Sequence, residues 1–225
     1  MGSAAFDAIG GAAINIQDIV PVVGEEEELY TGGFTIMTMT DGGETDQNYS
    51  YYTAEDAPDG AAKAGWFDGN GVRVNKVFQP GEGFVTVSDY EFGKIQSAGS
   101  VATENTILAV GTGVNTCGNT TSADLSIQKI EVGVDVDENG ELLAFNSETE
   151  EELYTGGFTV MTLTDGGETD ANYSYYTAED APDGVSKAGW FDGAGVRVNL
   201  TFGAGTGFII VSDYEGGYIA LPSAL

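Results

Sequence analysis

Residues 51–69 read YYTAEDAPDGAAKAGWFDG, and the stretch returns 124 positions later as YYTAEDAPDGVSKAGWFDG at 175–193. The match is not local. Sliding the chain by 124 residues lays Leu29 to Ile95 on Leu153 to Ile219 without a gap, and 52 of those 67 positions are identical. Self-similarity at a fixed offset means two copies of one structural unit, and 225 residues are enough for each copy to bury a core of its own. The organisation expected is a first unit over 1–101 and a second over 102–225, divided in the small, polar stretch AGSVATE at 98–104. So short a connection predicts a stiff tandem pair rather than beads on a tether.

Upstream of the close match the copies diverge. AAINIQDIV (12–20) still resembles ADLSIQKIEV (123–132), but the second copy then inserts GVDVDENGELLAFNSET where the first has only PVVGE. The second copy is also preceded by TILAVGTGVNTCGNTT (106–121), against a stub in the first. The first unit is therefore expected to have a shortened or missing opening strand, and the second an extra hairpin near 132–146.

Within each copy the pattern has period two. FTIMTMT (34–40) and FTVMTLT (158–164) alternate large apolar residues with Thr, NYSYYT is a further alternating run, and GFVTVSDY or GFIIVSDY closes the unit. Gly, Asp and Pro turns separate runs of strand length, and no segment sustains a helical period. The fold class predicted is all-β, as two tandem homologous antiparallel β-sandwich or barrel-like domains. Any helix is confined to one short turn around AEDAPDG, which Pro58 and Pro182 limit.

Seven Lys and Arg face 36 Asp and Glu, a formal net charge of −29. Phosphate backbones and anionic surfaces are repelled by such a chain, so no nucleic-acid partner is expected, and its own copies repel unless short-range contacts or cations hold them. The longest apolar runs, such as FIIV at 208–211, are far below the roughly 20 residues of a membrane helix, so no membrane span is expected. The N-terminus has neither a basic start nor a long apolar core. Abundant Gly, Thr, Asn and Tyr with scarce Lys favour an extracellular or cell-surface location.

The chain has no His, which excludes Ser-His-Asp and Cys-His catalysis and any His-bearing zinc site. Its single cysteine, Cys117, permits no internal disulfide and reads as a buried thiol. A glycosidase pair needs one raised pKa and a set separation, and no stretch here encodes either. We expect no enzyme.

Four groups of residues carry the binding chemistry the sequence suggests. Asp135, Asp137 and Asn139, followed by Gly140, match the opening of a calcium loop, with Glu148 available to complete it. The competing reading is a hairpin turned at Asn139-Gly140, since the loop's twelfth position is Asn146 and neither flank is helical. No cofactor is required, and calcium is the one candidate ion. The acidic turns EEEEL, ETEEEL, DGGETD and EDAPDG read either as solvated edges and turns or as cation seams. Tyr49, Tyr51, Tyr52 and Trp66, with their counterparts Tyr173, Tyr175, Tyr176 and Trp190, offer rings to a sugar or a protein partner wherever they face solvent. Alternation sends part of each set inward, and a Trp after Gly suits a core plug. Lys63, Arg73, Lys187 and Arg197 are four of the seven cations and are candidate interface charges.

The unit GWFDGNGVRVN, then PGEGFVTVSDY, then AGSV (65–101) resembles a module of uncharacterised bacterial secreted tandem β-repeat proteins of surfaces and fibres. The second copy departs from it, with GAGTGF for PGEGF and LPSAL at the end. The resemblance implies a building block of surface layers, fibres or adhesins, with no catalytic residues. The functional expectation is an extracellular structural protein that self-assembles into a filament or surface array, with TILAVG or YIALPSAL adding as a strand to a neighbour's sheet. A carbohydrate-binding or adhesive module using the Tyr and Trp faces is the alternative, so the partners expected are other copies of the chain or glycans.

Overall fold

A computed structural model describes residues 3–8, 13–40, 45–79, 82–90, 94–97, 106–110, 112–120, 123–163, 169–204 and 206–222. The expected boundary at 98–104 and most of both DGGETD turns lie outside the described residues. Those described are all-β apart from two single 3-10 turns, Ile16–Asp18 and Ile127–Lys129.

The first copy contributes β1 (Ser3–Ala8), β2 (Ile14–Asn15), β3 (Ile19–Val22), β4 (Phe34–Met39), β5 (Thr45–Tyr52), β6 (Gly65–Phe67), β7 (Val77–Phe78), β8 (Gly83–Ser88) and β9 (Lys94–Ser97). The second contributes β10 (Thr106–Val110), β11 (Gly113–Gly118), β12 (Leu125–Ser126), β13 (Glu131–Gly133), β14 (Asp135–Val136) and β15 (Leu142–Leu143). It continues with β16 (Phe158–Leu163), β17 (Thr169–Tyr176), β18 (Gly189–Phe191), β19 (Thr201–Phe202), β20 (Gly207–Ser212) and β21 (Gly217–Leu221).

Two antiparallel five-stranded sheets have the same order, β1-β8-β4-β5-β6 in one copy and β11-β20-β16-β17-β18 in the other. Even their irregularities agree, with the register slipping at Thr38/Met39 in one sheet and at Thr162/Leu163 in the other. Opposite each sheet lie short ladders, β2-β7 and β3-β9 against the first, β12-β19 and β10-β21-β13 against the second. The result is sandwich-like, with Ile16, Ile19, Phe34, Ile36, Trp66 and Phe84 filling one core and Ile127, Ile130, Phe158, Val160, Trp190 and Phe208 the other.

The interior strands β8 and β20 are buried on both faces, which is why GFVTVS and GFIIVS read as nearly unbroken apolar runs. Phe84 and Phe208 point into the cores, while Val85 and Ile209, each 4% exposed, point the other way and pack in a third cluster. Met37, Met161, Val87, Val211 and Val114 surround that pair. The outer face of one five-stranded sheet therefore rests on that of the other, equivalent residue near equivalent residue.

At the amino terminus β1 pairs with β8 as β11 pairs with β20, so a strand precedes the shared pattern in both copies. What the first copy lacks, among the described residues, is a counterpart of β10.

Candidate functional site

Of the eight rings offered as a candidate contact surface, Tyr49, Tyr51, Trp66 and Trp190 are buried and the other four are half-buried. Trp66 and Trp190 are both 0% exposed, and their indole N–H groups donate to the carbonyls of Ile19 at 2.8 Å and Ile130 at 3.0 Å. Tyr51 and Tyr175 meet these indoles edge-on at 5.3 and 5.5 Å. Tyr49 and Tyr51 are buried, and Tyr173 and Tyr175 pack half-buried against the second core. Tyr52 and Tyr176, half-buried, lie on the other side of the sheet against Phe67 and Phe191 at 5.1 Å. The physical reason is local: Gly65 and Gly189 let the chain approach so closely that the following Trp turns inward.

Arg73 and Arg197 are likewise committed within the chain rather than available to a partner. Arg73 grips Asp59 with two N–H groups, at 2.5 and 3.2 Å, and donates also to the carbonyls of Lys63 and Ala64. Its guanidinium sits 4.5 Å above the Phe67 ring. Gln17, aimed by the 3-10 turn that Asn15 caps, donates to the carbonyls of Trp66 and Val74 and accepts from Arg73. Gln128, Arg197 and Asp183 repeat the arrangement in the second copy. A Cβ on Gly65 would run into both Arg73 and Gln17. Lys63 and Lys187 remain exposed, with no ion pair among the described residues.

The hydrogen bonds from Arg73 and Arg197 hold the carboxyls of Asp59 and Asp183 below the usual carboxylate range. A depressed folded pKa adds stability that is present above the unfolded value, about 3.9, and is lost as pH falls through the lower folded one. The stability difference between wild type and the Asp59→Asn, Asp183→Asn protein is therefore expected at neutral pH and should shrink on acidification below about 4. Urea melts at stepped pH measure it, and a difference constant from neutral to strongly acid solution would show that neither pair contributes.

The calcium-like stretch forms the tip of a hairpin. Asp135 stands opposite Leu143 in the β14-β15 ladder, and Gly140 has φ +81°, as a tight turn requires. Asp137 Oδ1 accepts from the N–H groups of Asn139 at 2.8 Å and Glu141 at 2.7 Å, and Asp137 Oδ2 accepts from the Asn139 amide. Asp135 accepts from the N–H of Val136, while Glu148 lies past the hairpin in a turn organised by Asn146. Among the described residues no group of three or more Asp, Glu, His or Cys side chains converges as a metal site would need.

Each copy carries an open cavity that sequence reading did not single out. The first, about 480 Å³, is lined by Glu28, Leu29, Tyr30, Thr53, Glu55 and Asp56. The second, about 670 Å³, has the equivalent Glu152, Leu153, Tyr154, Thr177, Glu179 and Asp180, with Tyr175 and alanines behind them. Asp56 accepts from the hydroxyls of Thr31 at 2.7 Å and Thr53 at 3.2 Å, which ties the two lining loops together. Tyr30 and Tyr154, 49% and 47% exposed, stand at the rims and donate to Asp89 and Asp213. Behind them Tyr90 and Tyr214 lie so close to Gly33 and Gly157 that a Cβ there would strike the ring, and burial pushes the Tyr214 phenol up to about 12. The repeated ELYTGG and TAEDA were the available signal, but alternation alone does not show that two loops meet.

The copies differ most in their small sheets. Ile219 of β21 is 0% exposed between β10 and β13, whereas its counterpart Ile95 of β9 is only partly buried and pairs with β3 alone. On β3, Val20 and Val22 are 48% and 42% exposed, where the second copy has Glu131 and Gly133, the latter close against Leu142 and Leu143 of the hairpin. Pro21, opposite Ile95, suits an edge strand because it has no N–H to offer a further ladder. Among the described residues nothing pairs with the outer edge of β9 or of β10. No described helix is long and apolar enough to cross a membrane. No protein-family model, curated protein or solved structure matches the chain.

Proposed function

We propose that this is an extracellular structural protein of two homologous β-sandwich units that self-assembles into a filament or surface array by strand addition between copies. One observation carries the reading: among the described residues the small sheet of the second copy has three strands, and that of the first has two, with nothing paired to the outer edge of β9. A bare edge is a row of unpaired N–H and C=O groups, which proteins normally cover, charge or interrupt. Here the neighbouring edge of β3 carries a proline, while β9 has no carboxylate in a chain of net charge −29. The glycan alternative loses Tyr49, Tyr51, Trp66 and Trp190 to the core and rests on the half-buried Tyr52, Tyr173, Tyr175 and Tyr176 with the rim rings Tyr30 and Tyr154.

Sedimentation and electron microscopy of the purified protein, with and without calcium, test the proposal. Polymers are expected in both solutions and should lengthen as added salt screens the carboxylates. A protein that stays monomeric at high concentration, at every salt and calcium level, overturns it.

A further inference from the structure

The second copy shows what covers such an edge. Its β10 lies antiparallel on β21, bringing Leu108 opposite Ile219 and Thr106 opposite Leu221. The 124-residue offset carries those two partners onto Ile95 and Ser97 of β9. Neither free-standing donor suggested by the sequence is available, since TILAV is already paired in its own sheet and β21 lies inside that sheet. Among the described residues β10 nevertheless pairs along only one of its edges. Resting on the assembly reading above, we propose that the outer edge of β10 in one copy of the chain pairs antiparallel with the outer edge of β9 in the next, giving a continuous sheet β3-β9-β10-β21-β13 across the contact.

Three observations favour this occupant. The pairing restores on β9 the three-strand order that β21 has in the second copy. The two edges, Lys94–Ser97 and Thr106–Val110, are free of Asp and Glu, so they can approach where most of this surface would repel. The other edges of the same small sheets are closed to addition, β3 by Pro21 and β13 by the hairpin, where the Val134 N–H donates to the Leu143 carbonyl at 2.8 Å. Each chain then has one β9 edge and one β10 edge, unlike surfaces that do not close on themselves, and such a contact propagates.

Cysteine cross-linking locates the contact. Cys117 is buried with its thiol pushed up to about 12 by desolvation, so it stays silent in the folded protein. Full-length Gln96→Cys and Ile107→Cys proteins, whose positions face each other in that register, are each checked for a wild-type melting temperature and oxidised separately and as a mixture. Disulfide dimer is expected in the mixture and in neither protein alone. Dimer from Gln96→Cys by itself would mean that β9 pairs with β9 across a two-fold axis, and overturns the proposal. Polymers in the microscope without cross-linking in the mixture overturn this contact and leave self-assembly standing, whereas no polymer from the wild-type chain overturns both. As a second readout, Lys94→Glu with Gln96→Glu is expected to lose the polymer while keeping its melting temperature, and polymer formed as readily as by wild type speaks against the contact.

Discussion

Replacing Trp190 with alanine is expected to cost about 3 to 5 kcal/mol of folding stability, and Trp66→Ala about the same. Each indole is fully buried, fills the space between a five-stranded sheet and its small ladders, and donates to a main-chain carbonyl. Removal opens a cavity in a packed interior and takes away the hydrogen bond to the Ile130 or Ile19 oxygen, so the transfer and hydrogen-bond losses act together. Because the two sites lie in separate cores, the double substitution should lose roughly the sum of the single losses. Urea midpoints of the three variants measure this. A loss below about 1 kcal/mol in either single variant would place that ring outside the core.

Ile209→Asp is expected to cost about 3 to 4 kcal/mol, by placing a carboxylate in the apolar seam beside Val85, Met37, Met161 and Val114. The seam shares no buried residue with either core, so its disruption is expected to part the sheets while leaving both indoles enclosed. Small-angle scattering should then show an expanded particle, with tryptophan fluorescence still that of a folded chain. Unchanged stability would mean that the two sheets do not meet at Ile209 in solution.

How much of this was legible beforehand differs from residue to residue. The all-β class followed from alternation in FTIMTMT and NYSYYT, and the hairpin at Asn139-Gly140 from its turn chemistry, because both signals are local. The burial of β8 and β20 on both faces was written in FVTV and FIIV, but a short apolar run does not say what lies on its second side. Arg73 illustrates the limit best. From sequence it is a scarce cation available to a partner, and only the fold brings Asp59, Gln17 and Phe67 around it, from positions 14, 56 and 6 residues away. The cavities were hidden for the same reason, since Glu28 and Glu55 belong to different loops. The β9 edge, unpaired among the described residues, was half visible as an unequal length of sequence ahead of each copy.

The seam has a consequence for the duplication itself. Val85 faces Ile209, Met37 has Met161 in the same cluster, and Val87 has Val211, so the surface a copy presents is met by the same surface of its twin. A single copy would expose that apolar face, and two separate copies joined through it would part on dilution. Joining the copies in one chain replaces the concentration of free partners with a high and constant effective one. The doubled sequence thereby makes permanent, at any dilution, a dimer that one copy alone would form only when crowded.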